Sequence, residues 1–331
     1  MNKFFRPLFG LTLLALFIVG CSKEGEPISS LLILSAPQYD AAFATNGRFS
    51  LSLVALTEDS TVINIEDVAN IEFEIDSVVP AGTYAVTVEG VDFFEPSADK
   101  IAVGLLLDSS GSMDSSDPGY LRVSASKTFI DLLAANNLDN MASVADFGSS
   151  APDSAYYFRL LQEYVEVTNT TDLFAALDSV MAYGSTPLYS GVHRDLDYTD
   201  GAVAAASYSR ALVVLTDGQE NDSYPEDSLE SAIALANLVN IPVYTVGLGS
   251  GVDAADLTRL AQETGGIYVF ADSASALEAI YTAMGYGLSQ GYNTTAGVFG
   301  PIPPAGTQVF ATVKVNSGGE TASATIVFDI P

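Results

Sequence analysis

The sequence predicts an α/β protein, with a doubly wound, mainly parallel sheet that is inserted in, or flanked by, a small antiparallel β-sandwich module. Two observations lead to this prediction. In the middle of the chain, apolar strands alternate with helical stretches, a pattern that favours a parallel sheet with helices on both faces. Towards both ends, strands with alternating apolar and polar residues follow one another, separated by Gly, Pro and Asn.

The individual elements follow from these two patterns. Short apolar runs predict buried strands in the central part, and the longer segments between them predict helices. The strands predicted for the β module are 49–54, 71–75, 84–88, 309–315 and 324–328. The predicted central strands are 101–108, 142–147, 159–167, 211–217, 243–247 and 267–270, and the predicted helices are 122–136, 171–181, 188–197, 227–240, 254–264 and 275–285.

Composition and charge limit the classes of partner. The 331 residues allow about two domains, and 48% hydrophobic residues suit a packed core rather than a disordered chain. The formal net charge is −29, which argues against nucleic acid as a partner because nucleic-acid binding requires a basic surface. An acidic surface also keeps a secreted protein dispersed.

The amino-terminal segment has the features of a secretory signal. Lys3 and Arg6 precede an apolar run, residues 8–20, which is shorter than the ~20 residues of a membrane-spanning helix. Cys21, the single cysteine, follows Ile-Val-Gly and resembles the cysteine of the bacterial lipoprotein box. That resemblance implies cleavage before Cys21 and diacylation of its sulfur, with palmitate among the acyl groups. A signal peptide with an incidental cysteine is the alternative.

The domain organisation is predicted from these patterns. Some forty residues after position 290 are too few to bury a core of their own, and the tetrapeptide Pro-Ala-Gly-Thr opens a strand at both 80 and 304. The last strands are therefore expected to complete the first β module, and a separate carboxyl-terminal hairpin is the alternative. The predicted divisions are 1–20 (signal peptide), 21–30 (acylated terminus and linker), 31–98 (β module, first part), 99–288 (α/β domain) and 289–331 (remaining β strands).

Three polar segments of the central part carry oxygen donors. Asp-Ser-Ser-Gly-Ser at 108–112 ends an apolar strand, Gly-Ser-Thr-Pro-Leu at 184–188 follows a predicted helix, and Leu-Thr-Asp-Gly at 215–218 closes another strand. Carboxylate and hydroxyl oxygens suit Mg²⁺, Ca²⁺ or Mn²⁺. Open α/β sheets bind their ligands at the carboxyl ends of strands. Taken singly, each aspartate or serine could instead be a turn or helix cap.

In this order and spacing, the three segments resemble the von Willebrand factor type A domain, over residues 99–288. The resemblance implies a Rossmann-like fold and a metal-ion-dependent adhesion site for one divalent cation, Mg²⁺ first, with Ca²⁺ or Mn²⁺ as alternatives. In such a site the two serine hydroxyls bind directly, the threonine joins in one of two states, and the two carboxylates act mostly through water. The implied ligands are Asp108, Ser110, Ser112, Thr186 and Asp217.

The sequence contains a motif typical of hydrolases, but not in the structural context that hydrolase chemistry requires. Ser289 lies in Gly-Leu-Ser-Gln-Gly, with His193 as the only available histidine base, but it follows a helical stretch, whereas a nucleophile elbow joins a strand to a helix. No Gly-Lys-Ser/Thr occurs, and no full dinucleotide fingerprint is present. One histidine and one cysteine exclude ordinary zinc sites. The sequence therefore predicts neither an enzyme nor a nucleotide-binding protein.

The function predicted from the sequence is binding. A lipoprotein of the bacterial cell envelope, at the outer membrane or cell surface rather than the inner membrane, would bind a protein partner whose Asp or Glu completes the metal coordination. Its contact with the membrane would be through the lipid anchor only. The alternative is a structural or accessory subunit of an envelope assembly, in which the metal only stabilises the loops.

Overall fold

The computed structural model describes residues 13–18, 28–35, 37–40, 42–95, 100–148 and 157–331. The predicted lipidation site, Cys21, lies outside the described residues. The chain forms two compact units. One unit takes in the described residues up to Glu95 together with Tyr286–Pro331, and the other takes in those from position 96 to Gly285.

The elements have the following bounds. The strands are β1 Leu13–Ile18, β2 Ile28–Ile33, β3 Gln38–Tyr39, β4 Arg48–Thr57, β5 Ile71–Val79, β6 Ala85–Phe94, β7 Ile101–Asp108, β8 Met141–Phe147, β9 Arg159–Glu166, β10 Ser209–Thr216, β11 Val243–Leu248, β12 Tyr268–Ala271, β13 Tyr292–Gly300, β14 Gln308–Ser317 and β15 Glu320–Asp329. The helices are α1 Phe43–Asn46, α2 Met113–Ser116, α3 Leu121–Asn136, α4 Thr170–Leu177, α5 Leu188–Ala202, α6 Leu229–Val239, α7 Ala254–Thr264 and α8 Leu277–Gln290.

The second unit is built on a six-stranded sheet in the order β12-β11-β10-β7-β8-β9. Neighbouring strands from β12 to β8 are parallel, and only β9 pairs antiparallel, with β8. All residues of β7 and β11 are buried, as expected for parallel strands whose two faces are covered by helices. The predicted α/β fold class is confirmed.

Local capping signals fix the helices behind the strands. Ser228 and Ser231 form a reciprocal capping box at the start of α6. Asp253 accepts a hydrogen bond from the Asp256 amide at the start of α7, and Gly265, at φ 88°, ends that helix. Among the described residues, no helix is both long and apolar enough to cross a membrane.

The first unit consists of two antiparallel sheets, in the orders β1-β15-β14-β5 and β2-β4-β13-β6. Each sheet joins strands from both ends of the chain: β13 pairs with β4 and β6, and β14 pairs with β5. Phe49 packs against Phe73 of the other sheet at 5.5 Å between ring centroids. Strand β1, which falls in the predicted signal peptide, pairs with β15; cleavage of the signal peptide stays a prediction.

Several elements differ from the prediction. The additional elements are strands β1, β2, β3 and β13 and the short helices α1 and α2. Helix α4 ends at Leu177 instead of continuing to Met181: the amides of Ser179 and Val180 bond to carbonyls only three residues earlier, and Arg159 donates to the Ser179 carbonyl. Helix α8 continues five residues beyond the predicted end, to Gln290, and ends at Gly291 with φ 104°.

Candidate metal site

The sheet topology brings the two predicted carboxylate ligands together. Asp108 is the last residue of β7, and Asp217 directly follows β10. These strands are parallel neighbours, with Leu107 opposite Leu215. The chain leaves β7 towards β8 on one side and returns to β10 on the other, so both carboxylates lie at the point where the strand order reverses. Ligands of open α/β sheets bind in the crevice at this point.

Asp108 is completely buried. Its Oδ1 accepts a hydrogen bond from the Ser110 amide and its Oδ2 accepts one from the Thr216 hydroxyl, both at 2.6 Å. Burial, helped by the nearby charge of Asp217, raises the pKa of Asp108 to about 6, although the hydrogen bonds from Ser110 and Thr216 act in the opposite direction. A bound cation would favour the ionised form that burial disfavours.

The two serine hydroxyls lie next to the second carboxylate. Ser110 Oγ is 3.0 Å from Ser112 Oγ, and Ser112 Oγ donates to Asp217 Oδ1 at 2.6 Å. Ser112 precedes α2 but makes no side-chain capping bond there, so its hydroxyl faces the carboxylates rather than the helix. One turn later, Ser116 also donates to the Asp217 carboxylate.

Thr186 reaches the same point from the third loop. A Cβ atom placed on Gly218 would lie 3.3 Å from Thr186 Oγ1 and 3.8 Å from Ser112 Oγ, so both hydroxyls border the space beside this glycine. Asn221 holds the Thr186 backbone from both sides: its side chain accepts from the Thr186 amide at 2.9 Å, and its amide donates to the Thr186 carbonyl at 3.2 Å.

All five predicted ligands therefore meet at one end of the sheet. Two carboxylates and three hydroxyls form a hard-oxygen donor set that fits Mg²⁺, Ca²⁺ or Mn²⁺. Within the part of the chain that the structure describes, no group of three or more His, Cys, Asp or Glu side chains could hold a metal. The fit of this site to a cation thus depends on its hydroxyl groups.

Two contacts that support the metal loop could not be predicted from the sequence. Asp117 is buried and pairs with the buried Arg122 at 2.8 Å, whereas Asp114 in the same segment is exposed. On the other side of the loop, Ser109 Oγ donates to Asp146 at 2.7 Å, and Asp146 is also paired with Arg159. The metal loop is thereby anchored to both α3 and β8.

The hydrolase alternative does not gain support from the structure. Ser289 lies inside α8, so no strand-to-helix elbow presents it. His193 Nε2 is 2.8 Å from Ser231 Oγ. The same hydroxyl also accepts a hydrogen bond from the Ser228 amide in the α6 capping box. On the other side of the ring, His193 Nδ1 is 4.0 Å from the Asp227 carboxylate, so His193 lies between the α6 cap and Asp227.

The profile of the von Willebrand factor type A domain matches residues 103–283. The chain belongs to the von Willebrand factor type A family. Type A domains are typically interaction or adhesion modules rather than enzymes. A comparison with curated proteins found no match.

Solved structures similar to the chain include other type A proteins. A von Willebrand factor type A protein from Catenulispora acidiphila is 14% identical, with a TM-score of 0.49, over 95% of this chain and 75% of that chain. The pilus adhesin SpaC from Lactobacillus rhamnosus GG is 12% identical, with a TM-score of 0.46, over 93% and 49%. Proximal thread matrix protein 1 from the mussel byssus, described with a zinc-occupied MIDAS motif, is 15% identical, with a TM-score of 0.43, over 63% and 50%. The chain spans about half the length of the last two.

A cleft of about 220 Å³ borders the metal site of the type A domain on the Gly218 side. Its walls include Tyr189 and the carboxylates of Glu220 and Asp256. Burial, together with the hydrogen bond to Asp256, raises the pKa of the Tyr189 hydroxyl above its ordinary value. Tyr189 therefore stays protonated and donates to Asp256 at 2.7 Å, so this side of the site is polar and acidic.

Proposed function

We propose that the type A domain binds one divalent cation, Mg²⁺ first, and through it an Asp or Glu side chain of a protein partner. The observation that carries this proposal is the meeting of Asp108, Ser110, Ser112, Thr186 and Asp217 at the carboxyl end of the sheet. When neutral hydroxyls supply most of the direct ligands, a bound cation keeps net positive character. A carboxylate from outside the domain is then a favourable further ligand.

The chemistry of the site supports recognition rather than catalysis. The hydroxyl and carboxylate groups around Asp217 are engaged with one another, and the single histidine contacts the α6 cap. The residues of the site would therefore hold a cation in place and orient it towards the partner. Binding strength would come from the bond between cation and carboxylate, and selectivity from the surrounding surface.

The proposed function is tested by affinity capture from envelope extract, with the purified chain as bait, in Mg²⁺ and in EDTA. We expect specific partners to be captured in Mg²⁺, released by EDTA and recovered when Mg²⁺ is restored. The Asp217→Asn bait should capture none of them, because it removes a carboxylate of the site, whereas the exposed Asp114→Asn should behave like wild type. Capture of the same proteins in EDTA would instead favour the structural role, in which the metal only stabilises the loops.

We propose, further, that the protein is held in the envelope by lipid on Cys21. The lipoprotein-like box is the support for this proposal, together with the acidic, secreted character of the chain. Growth with labelled palmitate should label the wild-type protein in the membrane fraction. Cys21→Ser should remain unlabelled and at the precursor mass. Equal labelling of both proteins would show that Cys21 is not the acylated residue.

A further inference from the structure

One side of the β unit is closed by a strand that falls in the predicted signal peptide. Strand β1 is the end strand of its sheet, in the order β1-β15-β14-β5, and it pairs antiparallel with residues 323–328 of β15 along its whole length. Cleavage before Cys21 would remove β1 and make β15 the end strand. The side of residues 323–328 that faces β1 is called the β15 edge below.

The β15 edge lies beside the core of the β unit. Ala324 and Ile326 of β15 are buried, with 2% and 0% of their surface exposed, and β1 places Phe17 and Ala15 opposite them. Strand β2 of the other sheet lies against both β1 and β15. Removal of β1 would therefore uncover backbone N–H and C=O groups next to buried apolar side chains. Such an edge is a template for the addition of another strand.

The end strands at the other side of the two sheets are protected by charge. Strand β5 ends the first sheet and carries three exposed carboxylates, Glu72, Glu74 and Asp76. Strand β6 ends the second sheet and carries two, Glu89 and Asp92. Charged side chains on an end strand prevent another strand from pairing with it. The edges of β5 and β6 thus have the composition of edges that remain free.

The end strands on the side of β1 lack this protection. Neither residues 321–328 of β15 nor residues 28–33 of β2 include a charged residue or a proline, and the two strands lie next to each other. The segment that cleavage would leave in front of β2, Cys-Ser-Lys-Glu-Gly-Glu-Pro at 21–27, carries three charges and a proline. It does not match the apolar Leu-Leu-Ala-Leu-Phe-Ile of β1. The β15 edge therefore has the composition of a covered edge, and its cover in the cleaved chain would come from another molecule.

We infer that the β15 edge of the cleaved, mature chain binds an extended, uncharged apolar segment of another protein, which pairs antiparallel with β15 in the place of β1. This inference rests on the proposed cleavage before Cys21. It concerns a surface separate from the metal site, because β15 belongs to the first unit and the five metal ligands belong to the second. In strand addition of this kind, main-chain hydrogen bonds supply affinity and alternate side chains supply specificity.

A second copy of the chain is a less favourable occupant of the β15 edge. Every described strand is already paired within its own sheet, so a second copy could offer only another edge and not a free strand. Two chains that each carry a net charge of −29 also repel each other. An uncharged segment of a different protein meets neither obstacle.

The test uses a fluorescein-labelled peptide that contains the β1 sequence, Gly-Ser-Leu-Leu-Ala-Leu-Phe-Ile-Ser-Gly. It is titrated by fluorescence anisotropy against the mature protein, purified from membranes in detergent and kept in EDTA so that the metal site plays no part. The control is the Cys21→Ser precursor, which keeps residues 1–20 and therefore its own β1. We expect the peptide to bind the mature protein about tenfold more tightly than the precursor, because the edge of the precursor is already paired.

Two N-methylated peptides distinguish strand pairing from apolar adsorption. In an antiparallel pair, only alternate residues of a strand direct their N–H groups towards a given neighbour. One peptide is methylated on the amides of the first, third and fifth residues of Leu-Leu-Ala-Leu-Phe-Ile, and the other on those of the second, fourth and sixth. One of the two should lose binding to the mature protein while the other keeps it. Equal binding of both peptides would overturn strand pairing.

Intact mass separates the β15 edge from the proposed cleavage, and thermal unfolding confirms that the mature and precursor proteins are both folded. A wild-type chain that keeps residues 1–20 would overturn the cleavage and the open edge with it. A cleaved chain that does not bind the peptide would overturn the open edge alone. A cleaved chain that forms dimers, which the peptide dissociates, would identify a second copy as the occupant and overturn the assignment to another protein.

Discussion

Replacing Asp108 with Asn is expected to lower the affinity for Mg²⁺ roughly 10- to 100-fold, the range observed when groups that support a bound metal are changed. Asn has nearly the same shape, and its oxygen can still accept a hydrogen bond from Ser110 or Thr216, which now bond to Asp108 at 2.6 Å. The negative charge, however, is lost. Isothermal titration with MgCl₂ measures the effect directly.

A second measurement separates loss of metal from loss of fold. In EDTA, the thermal midpoint of Asp108→Asn should equal or exceed that of the wild type, since a buried charge has been removed. In Mg²⁺, the wild type should gain more stability than Asp108→Asn, because a ligand that binds the folded state alone raises the midpoint according to its affinity. The exposed Asp114→Asn serves as the matched control in the same loop. Wild-type Mg²⁺ affinity in Asp108→Asn would show that Asp108 does not support a metal.

Stability in the absence of metal is expected to fall between pH 4 and pH 7 because of a second buried carboxyl, Asp195 of α5. Asp195 is completely buried, its Oδ1 accepts only a long bond of 3.3 Å from Thr199, and its Oδ2 has no hydrogen-bond partner among the described residues. Burial raises the pKa of Asp195 from 3.8 to about 7. The unfolded chain therefore releases this proton at lower pH than the folded chain does.

The direction of the effect follows from this difference. Between the two pKa values the folded state binds more protons than the unfolded state, so the free energy of unfolding decreases as the pH rises. Each pKa unit corresponds to about 1.4 kcal/mol, which gives a total loss on the order of 4 kcal/mol by pH 7. Below pH 4 both states are protonated, and the group has no effect.

Urea unfolding in EDTA at pH 5 to 8 measures this loss when the wild type is compared with Asp195→Asn. The amide cannot ionise, so the difference between the two proteins should change by about 3 kcal/mol between pH 5 and pH 8, which is the part of the loss that falls in this range, while all other groups titrate equally in both. Asp197→Asn, an exposed change on the same helix, should follow the wild type. Parallel curves for wild type and Asp195→Asn would show that Asp195 does not titrate in this range.

The central sheet could be predicted from the sequence because parallel strands covered on both faces appear as apolar runs. Strand β7 has its predicted bounds, Ile101–Asp108. Strand β13 could not be predicted in this way, since its first half contains Asn293, Thr294 and Thr295. Asn293 is fully buried, and its side chain bonds to the backbone of Ile63 and Ile65, some 230 residues earlier. A local sequence pattern gives no information about a partner that lies so far away along the chain.

The metal site, too, could be predicted only in part. Its five predicted ligands lie in short motifs with fixed spacing, and the structure brings them to one point, while binding of a metal stays a prediction. The groups that hold the ligands in place come from other elements. Asn221 fixes Thr186 through bonds to its backbone, and Arg122, the buried partner of Asp117, also donates to the distant Met181 carbonyl. These contacts follow from tertiary packing.

The pairing of β4 with β13 also sets an order of folding. Leu53 lies opposite Asn293, so 240 further residues, 293 − 53, must be synthesised before this pair of strands can form. The type A unit is one continuous stretch and can complete its sheet earlier. Contacts between such distant segments form slowly, and unpaired strands are prone to aggregate. The β unit, with β4 and β5 waiting for the last strands, is therefore the part of the nascent chain that most needs chaperone protection.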